Sequence, residues 1–458
     1  MNHLLNASEP LDICNLMDTI FALSSGKGKS GVAVIRISGR EALSCLKKLG
    51  VEKNLSPRTA HLLKLKEGEN LIDNALCIYF DAPKSFTGED VVELHLHGSI
   101  AVIRKVSEIL YNIKNVRPAD AGEFSKRAFE NGKMDLLQAE GLADLIHAET
   151  EAQLRQANKI IAGDASKIYD NWREKIIEII AFIEAFVDFP EEDIPTDLDK
   201  QAQQKIVNLI SEIENFLQDN RAERLKNGAV ATILGNPNVG KSTLINFLSK
   251  RDIAIVSEIA GTTRDAIESN LEIKGFPLTI IDTAGIRNST DAIEQEGIKR
   301  ALEKAEKSDF KIIILSAEEY PNFDSKITDL IDEKTILIIN KSDIFSLDKN
   351  IKIKNIQPII CSIKNHINCE EIIEKIVHQL ESILHQENPV ITRARHRKSL
   401  EECKNYLQEF LTSRTQQKPI EISAEALRIS ASNLGKITGK IDVEMILDKI
   451  FSEFCIGK

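Results

Sequence analysis

The sequence predicts a multidomain protein of the α/β plus α class. It has an N-terminal α+β domain, a helical domain, and a doubly wound, mostly parallel α/β domain inserted into the helical one. At 458 residues the chain is too long for one core and matches about three ordinary domains. Short β-rich runs separated by glycine and proline come first, and helical periodicity follows. Five apolar runs of strand length then alternate with helical patterns, which is typical of a doubly wound sheet.

Shifts in pattern give the domain boundaries. Residues 1–133 form the α+β domain, with strands in "GVAVIRISG" and "ALCIYF" and a helix in "IAVIRKVSEILYNI". Residues 134–227 and 389–458 are helical and form the two halves of one domain. Residues 228–388 form the inserted domain, whose strands are "AVATIL", "LTIID", "KIIIL", "TILIIN" and "PIIC".

Composition and charge exclude several classes of protein. With 42% apolar and 28% charged residues the chain resembles a folded soluble protein. A net charge of −11 excludes a broad electrostatic surface for nucleic acid, so any RNA contact must be local. The seven cysteines include no C-x-x-C pair and fit free thiols in a reducing cytoplasm. The acidic N-terminus does not resemble a targeting segment, and no apolar run could span a membrane, so we expect no membrane contact.

One segment of the inserted domain has the pattern of a phosphate-binding loop. The strand "AVATIL" runs into Gly235 and then into Gly240, Lys241 and Ser242, which gives G-x-x-x-x-G-K-S followed by a helical pattern. Backbone N–H groups at such a helix N-terminus surround phosphate oxygens, the lysine adds a positive charge, and the serine hydroxyl can bind Mg²⁺. An upstream run, "SSGKGKSG", lacks the first glycine and fails the pattern.

Further motifs follow in the order that a GTPase requires. "GTTRD" supplies Thr263 for Mg²⁺ and the γ-phosphate, and "DTAG" places Asp282 at the end of a strand. In "NKSD", Asp343 can accept two hydrogen bonds from the N1–H and N2–H₂ groups of guanine, which adenine lacks. "CSIK" offers Ser362 and Lys364 on the base side.

The residue that orients the attacking water in Ras-type GTPases is missing from its usual place. A glutamine normally follows "DTAG", and here the position holds Ile286, which cannot orient water. Arg264 and Arg287 lie near the switch motifs, but surface or partner-facing roles are favoured for both over a role as arginine finger.

Taken together, the motifs resemble the MnmE family, also called TrmE, of tRNA-modifying GTPases. The resemblance rests on "GNPNVGKS", "IAGTTRD", "DTAGIR", "SFTGEDVVELHLHG", "GEFSKRAF" and the terminal "FCIGK", and it spans residues 18–458. It implies an N-terminal tetrahydrofolate-binding domain, a helical domain and an inserted Ras-like P-loop GTPase domain. Nucleotide contacts are then expected from Asn238, Val239, Gly240, Lys241, Ser242, Thr243, Ser257, Thr262, Thr263, Asp282, Thr283, Ala284, Gly285, Asn340, Lys341, Asp343, Ser362 and Lys364.

The resemblance also implies partners and chemistry. Such a protein is a homodimer whose G domains pair across their switches when GTP and K⁺ are bound. It acts with an FAD-containing, MnmG-type flavoprotein as a heterotetramer on tRNA. Together they add an aminomethyl-type group, such as carboxymethylaminomethyl, to C5 of the wobble uridine. The carbon comes from a tetrahydrofolate derivative in its 5-formyl or 5,10-methylene form.

Cation and catalytic roles follow from the resemblance residue by residue. Mg²⁺ would be held by Ser242 and Thr263, while K⁺ would occupy the place of an arginine finger. The K⁺ ligands would be Asn238, Ser257, Ile259 and Thr262. Glu294 would orient the attacking water through a second water, and the alternative for Glu294 is a solvated helix charge.

The folate site is expected at Arg36, Glu93, Lys133 and Lys458. A carboxylate such as that of Glu93 can pair with the 2-amino-4-oxo edge of a pterin, and cations suit its acidic tail. Two histidines, His95 and His97, lie on one face of the same predicted strand. Two ligands without a third make a weak zinc site, so a structural or folate-lining role is favoured.

Three roles are considered for Cys455 in the C-terminal "FCIGK". Its position suits a prenylated thiol, but Lys458 is an atypical last residue and the upstream segment is not polybasic. Within the family resemblance the tail belongs near the folate pocket. There the thiol would act on the uracil ring or serve as inert packing.

Other segments of the chain allow more than one function or have no assigned role. The basic run "TRARHRKS" at residues 392–399 is either an RNA contact or a solvated helix face. The loops "SSGKGKSG" and "DAGEF" depart from the family pattern, and residues 1–17 have no assigned role. The competing function is an RNA-binding regulatory GTPase, such as a ribosome-assembly switch, which would not need the folate motifs or "FCIGK".

Overall fold

A computed structural model describes residues 18–188, 196–251, 268–282, 306–345, 347–348, 350–384, 390–441, 447, 450–452, 454 and 457. The chain divides into two compact units. One unit joins residues 1–143 to residues 438–458, and the other comprises residues 144–437. Within the described ranges, no helix combines the length and the apolar character that crossing a membrane would require.

The first unit is built on a six-stranded sheet in the order β3-β4-β5-β2-β1-β6. Its longest strand, Asn70–Phe80, alternates buried residues with more exposed ones, and the buried face of the sheet forms one core with two helices. The strands are β1 (Thr19–Leu23), β2 (Ser30–Ser38), β3 (Ala60–Glu67), β4 (Asn70–Phe80), β5 (Val91–Gly98) and β6 (Val116–Pro118). The helices are α1 (Ala42–Lys48), α2 (Ile100–Tyr111), α3 (Glu123–Glu130) and α4 (Leu136–His147), the last of which runs into the second unit.

The C-terminal segment packs inside the first unit. The ring of Phe451 lies 6.5 Å from that of Phe129, centroid to centroid. The hydroxyl of Ser24, directly after β1, donates a hydrogen bond to the carbonyl oxygen of Gly457 at 2.9 Å. The tail therefore reaches the end of β1.

Helices on both sides of the inserted domain form one part of the second unit. They are α5 (Glu151–Ile161), α6 (Asp164–Asp188), α7 (Thr196–Gln218) and α8 (Arg221–Asn227), followed after the insertion by α12 (Ala394–Thr415) and α13 (Ile420–Thr438). Trp172 on α6 is buried, and its Nε1 donates to Glu212 Oε2 on α7 at 2.9 Å. Tyr169 donates its hydroxyl to the Val390 carbonyl at 2.9 Å and joins the two halves of the helical region.

The inserted part contains a second six-stranded sheet, in the order β12-β11-β10-β7-β9-β8. Its strands are β7 (Ala229–Leu234), β8 (Glu268–Ile273), β9 (Phe276–Asp282), β10 (Phe310–Ser316), β11 (Thr335–Asn340) and β12 (Ile359–Ile360). The helices are α9 (Lys241–Arg251), α10 (Ser325–Thr328), α11 (Glu370–Leu384) and a short 3₁₀ helix, Ala317–Glu319. Pairing is parallel from β9 to β12, and β8 pairs antiparallel with β9.

The predicted fold class is confirmed, with one strand more than the sequence indicated. Alternate residues of β10 enter two apolar clusters, with Ile312 and Ile314 in one and Ile313 and Leu315 in the other. Both faces of the sheet are therefore covered, as in a doubly wound domain. The additional strand is β8, an antiparallel edge strand with the sequence "ESNLEI".

Polar contacts attach α5 and α8 to the inserted part and to each other within the second unit. The Ala152 amide on α5 donates to the carbonyl of Gly275, in the β8–β9 turn, at 3.0 Å. Arg224 on α8 pairs with Asp309 at 3.0 Å, and the Gln153 amide donates to the Lys226 carbonyl at 3.1 Å. The helix α8, which directly precedes β7, is thus bound both to the inserted part and to α5.

Candidate functional site: a guanine-nucleotide pocket and a polar cluster on the N-terminal sheet

The phosphate-binding loop lies between β7 and α9, as its sequence predicts. Asn238 has a φ of 61°, which puts the loop in a left-handed turn before the helix. Gly240 leaves no room for a side chain, because an added Cβ would lie 2.3 Å from Asn340 Nδ2. Val239 is buried, while Ser242 and Thr243 are exposed in the first turn of α9. Backbone N–H groups at this helix start suit a phosphate.

Lys241 is buried, and its ammonium group lies within the loop. Its Nζ donates to the carbonyl oxygens of Gly235 at 2.7 Å and Asn236 at 2.8 Å. A cation held inside a ring of loop backbone suits the β- and γ-phosphates of a nucleotide. Asp282 is buried at the end of β9, opposite Ile233 of β7 in the strand register. It therefore lies at the same edge of the sheet as the phosphate loop.

Asn340 connects the phosphate loop to the loops on the base side. Its Nδ2 donates to the Val239 carbonyl at 2.7 Å, and its Oδ1 accepts the Ile363 amide at 3.0 Å. The side chain is buried, so both bonds are protected from water. One residue thus holds the start of α9 and the "SIK" loop in a fixed relation.

The surroundings of Asp343 favour the charged form of its carboxylate. The pKa of Asp343 is lowered by a hydrogen bond from Ser362 first, and Lys364 and Asn365 contribute further. Ser342 donates its amide to the Cys361 carbonyl at 3.1 Å, which joins the "NKSD" loop to the strand before Ser362. An ionised carboxylate accepts hydrogen bonds only, as reading guanine N1–H and N2–H₂ requires.

Several predicted site residues lie outside the described residues. They are the switch residues Ser257, Ile259, Thr262, Thr263, Thr283, Ala284 and Gly285, the water-orienting candidate Glu294, and the tail residues Cys455 and Lys458. Among the described residues, no group of three or more His, Cys, Asp or Glu side chains is placed to hold a metal ion.

On the N-terminal sheet, Arg36 and Glu93 form a pair across β2 and β5. Arg36 Nη2 lies 2.9 Å from Glu93 Oε1, and the guanidinium lies 5.5 Å and 5.7 Å from the ring centroids of Phe86 and Phe124. His95 Nε2 is 3.6 Å from Glu93 Oε2 and is a buried nitrogen without a hydrogen-bond partner among the described residues. A buried orphan nitrogen beside a carboxylate is a place where a polar ligand could complete the hydrogen bonding.

The other predicted folate residues have contacts of their own. Lys133 Nζ donates to the Pro83 carbonyl at 2.8 Å, three residues before Phe86. His97 differs from His95, because its Nδ1 lies 2.7 Å from Asp73 Oδ1 and its ring is exposed. The two histidines share a strand face, but only His95 lies beside Glu93.

The basic run at residues 392–399 turns most of its cations inward. Arg393 pairs with Asp144 at 2.9 Å, and Arg395 donates to the Ile437 carbonyl at 3.2 Å. Arg397 forms a two-donor contact with Glu223 Oε2, through Nε at 2.9 Å and Nη2 at 2.6 Å.

The remaining members of the run divide between core and surface. His396 is fully buried, with its ring 6.4 Å from that of Tyr169. Lys398 is 77% exposed and is the cation of the run that faces solvent. The arginines therefore act as internal links rather than as the solvated face or RNA contact considered above.

Sequence reasoning missed three polar side chains beside the pocket. Glu318 pairs with Lys341 at 2.8 Å, and Glu319 accepts from Asn236 of the phosphate loop at 3.3 Å. Asn365 contributes to the lowered pKa of the Asp343 carboxyl group. The available signal was topological, since Glu318 and Glu319 follow a strand that lies between the phosphate-loop strand and the "NKSD" strand.

Comparison with known proteins gives the family of the chain. Family models described as "GTP-binding protein TrmE N-terminus" and "MnmE helical domain" match residues 19–133 and 136–455. The tRNA modification GTPase MnmE of Rickettsia bellii is 48% identical over 449 residues, covering 96% of this chain and all of that protein. MnmE of Ehrlichia chaffeensis is 46% identical over 447 residues, with the same coverage. The solved G domain of Methanococcus jannaschii FeoB covers 34% of this chain and 97% of its own, at 22% identity and a TM-score of 0.26. The two family models and the two MnmE relatives show that the chain belongs to the MnmE family of tRNA modification GTPases.

Proposed function

We propose that this chain is the GTP-hydrolysing component of a complex that modifies tRNA. The observation that carries this proposal is the double contact of Asn340, which joins the phosphate loop to the base-side loop in one pocket. The identity of 46–48% to proteins named tRNA modification GTPases supports it.

We propose further that the product is a wobble uridine carrying an aminomethyl-type group, such as carboxymethylaminomethyl, at C5. The chain would work as a homodimer with an FAD-containing, MnmG-type partner, in the cytoplasm. A tetrahydrofolate derivative, in the 5-formyl or 5,10-methylene form, would supply the carbon. Support for a pterin site comes from the Arg36–Glu93 pair and the orphaned His95 nitrogen beside it. Glu93 would pair with the pterin edge, while Lys133 and Lys458 would hold the acidic tail.

The cation sites follow from the residue types in and around the pocket. When bound, Mg²⁺ and K⁺ supply positive charge to the phosphate oxygens. Ser242 and Thr263 would hold the first ion. Asn238, Ser257, Ile259 and Thr262 would hold the second. Lys241 would bind the β- and γ-phosphates, and Glu294 would hold the attacking water in line.

The tail would contribute to the folate side of the protein. Gly457 accepts a hydrogen bond from Ser24, and β1 pairs with β2 so that Ala22 lies opposite Arg36. A tail bound there supports a role for Cys455 as nucleophile or acid/base toward the uracil ring. The four segments 1–133, 134–227, 228–388 and 389–458 remain our proposed division into domains.

Nucleoside mass spectrometry of tRNA from a strain lacking the gene tests the proposal. We expect the modified wobble uridine to disappear and to return with the wild-type gene. A Cys455→Ser gene should fail to restore it while the purified variant still hydrolyses GTP. Unchanged wobble uridines would reject the tRNA-modifying function and favour the RNA-binding regulatory GTPase.

Hydrolysis measured in KCl and in NaCl tests the nucleotide chemistry separately. We expect much faster turnover and subunit pairing in K⁺, and Glu294→Ala should lower kcat while leaving GTP affinity nearly unchanged. Equal rates in both salts would reject the K⁺ site.

A further inference from the structure

A short acidic turn lies between the two loops that would hold the nucleotide. The strand β10 lies between β7 and β11 in the sheet, and all three are parallel. Their carboxyl ends therefore meet at one edge, where ligands bind in sheets of this kind. The 3₁₀ helix Ala317–Glu319 follows β10 and thus lies between the phosphate loop and the "NKSD" loop.

Glu318 contacts the base-side loop. Its Oε2 lies 2.8 Å from Lys341 Nζ and accepts a hydrogen bond from the Ser316 hydroxyl at 3.2 Å. The serine also accepts the Glu318 amide at 3.4 Å, which fixes the start of the turn. The carboxylate is therefore held by its own turn and is presented to the lysine.

Glu319 contacts the phosphate loop. Its Oε1 accepts from Asn236 Nδ2 at 3.3 Å, and the Asn236 carbonyl accepts from Lys241 Nζ at 2.8 Å. Its Oε2 is buried and has no hydrogen-bond partner in the part of the chain that the structure describes. Burying half of a carboxylate without a donor opposes stability, so the placement of this side chain requires an explanation.

Preorganisation supplies that explanation. A free lysine side chain loses conformational entropy when a ligand fixes it. An ion pair that restrains Lys341 before binding removes part of this loss. An amide held by Glu319 likewise restrains the loop that must close on the phosphates. Two solvated charges on a turn would have neither effect.

We propose that Glu318 and Glu319 are positioning residues for the guanine nucleotide. Glu318 holds Lys341 beside the base, and Glu319 holds the phosphate loop through Asn236. The inference rests on the GTPase function proposed above and adds residues that act on nucleotide affinity.

Competition against a fluorescent GDP analogue, with the full-length chain, tests the two roles. Glu318→Gln should weaken GTP, GDP and guanosine alike, by about threefold to fivefold, which is the range of a half-exposed ion pair. Glu319→Ala should weaken GTP and GDP by a similar factor and leave guanosine unchanged, while Glu319→Gln, which keeps an acceptor oxygen, should restore binding. In both cases the change should fall on KM rather than on kcat.

Two controls separate positioning from general damage. Glu333→Gln removes an exposed carboxylate just before β11 and should bind as the wild type does. In a Lys341→Met background, Glu318→Gln should have no further effect, because the pair is already broken. A thermal unfolding curve for each variant shows whether it has folded.

The outcomes are distinct. If the wild-type chain fails to bind guanine nucleotides, the proposed GTPase function fails. If it binds and the folded glutamate variants match it, only the positioning roles are rejected. Equal losses for guanosine in Glu318→Gln and Glu319→Ala would also reject the division between base and phosphate sides.

Discussion

Replacing Arg397 by alanine should destabilise the helical region rather than weaken RNA binding. The guanidinium reaches Glu223 through two donors, and it also donates to the Leu217 carbonyl and, at 3.1 Å, to that of Asp219. These contacts attach the start of α12 to the end of α7 and to α8. The truncated side chain would leave one carboxylate and two carbonyl groups without these donors.

The expected loss of stability follows from how far the two paired side chains are exposed to water. The side chains of Arg397 and Glu223 are 24% and 20% exposed, so the pair is largely shielded from water. Breaking a fully buried pair costs about 3–5 kcal/mol, and a surface pair is worth about 0–1 kcal/mol. We therefore expect Arg397→Ala to lower the free energy of unfolding by about 3 kcal/mol. At a urea m-value of about 2 kcal/mol/M, this lowers the midpoint of urea unfolding by about 1.5 M.

The chain contains one tryptophan, Trp172, and it reports on this region alone. It is buried on α6 and bonded to Glu212 on α7, so its fluorescence follows unfolding of the helical core. Lys398→Ala, one residue along and 77% exposed, is the matched control and should shift the midpoint by less than about 0.3 M. A wild-type midpoint for Arg397→Ala together with weaker tRNA binding would refute the structural role and favour an RNA contact.

Three further predictions concern a glycine in a turn, a buried amide side chain and three buried thiols. Gly275 has a φ of 87°, so Gly275→Ala should destabilise the β8–β9 hairpin by about 1 kcal/mol and speed its amide hydrogen exchange, whereas Gly275→Asn should do so less. Asn340→Ala should lower the melting temperature, because the Val239 carbonyl and the Ile363 amide lose a buried partner, at about 1–3 kcal/mol each; an unchanged melting curve would contradict this. Burial raises the pKa of the Cys45, Cys77 and Cys361 thiols to about 12, so at pH 8 they remain protonated, and peptide mass spectrometry should find iodoacetamide on them only after unfolding.

Local patterns in the sequence predicted most of the sheet that carries the pocket. The runs "AVATIL", "KIIIL" and "TILIIN" are strands because they are apolar on both faces, and buried parallel strands have that composition. The edge strand β8 escaped prediction for the converse reason. Its sequence "ESNLEI" carries two glutamates and pairs with one neighbour, so it has no continuous apolar run.

The basic run shows what local pattern cannot provide. Arg393, Arg395 and Arg397 follow one another at alternate positions on one short segment, and on sequence grounds they suggest a charged surface. Their partners Asp144, Ile437 and Glu223 lie far away in the chain, on α4, α13 and α8. A charge run becomes an internal link only through such distant partners, and no window of neighbouring residues contains them.

Strand order explains both how the nucleotide motifs could be found and why their supports could not. Each motif follows its own strand, so the P-loop and "NKSD" are recognisable from their own residues. The side chains that connect the two motifs follow a different strand, β10. This strand lies between β7 and β11 in the sheet and is adjacent to neither motif in the sequence. Glu318 and Glu319 lie after that strand and acquire partners on each side from the order of the sheet. In a parallel sheet, the residues that connect two binding loops are therefore to be sought after the strand between them, whatever their sequence suggests.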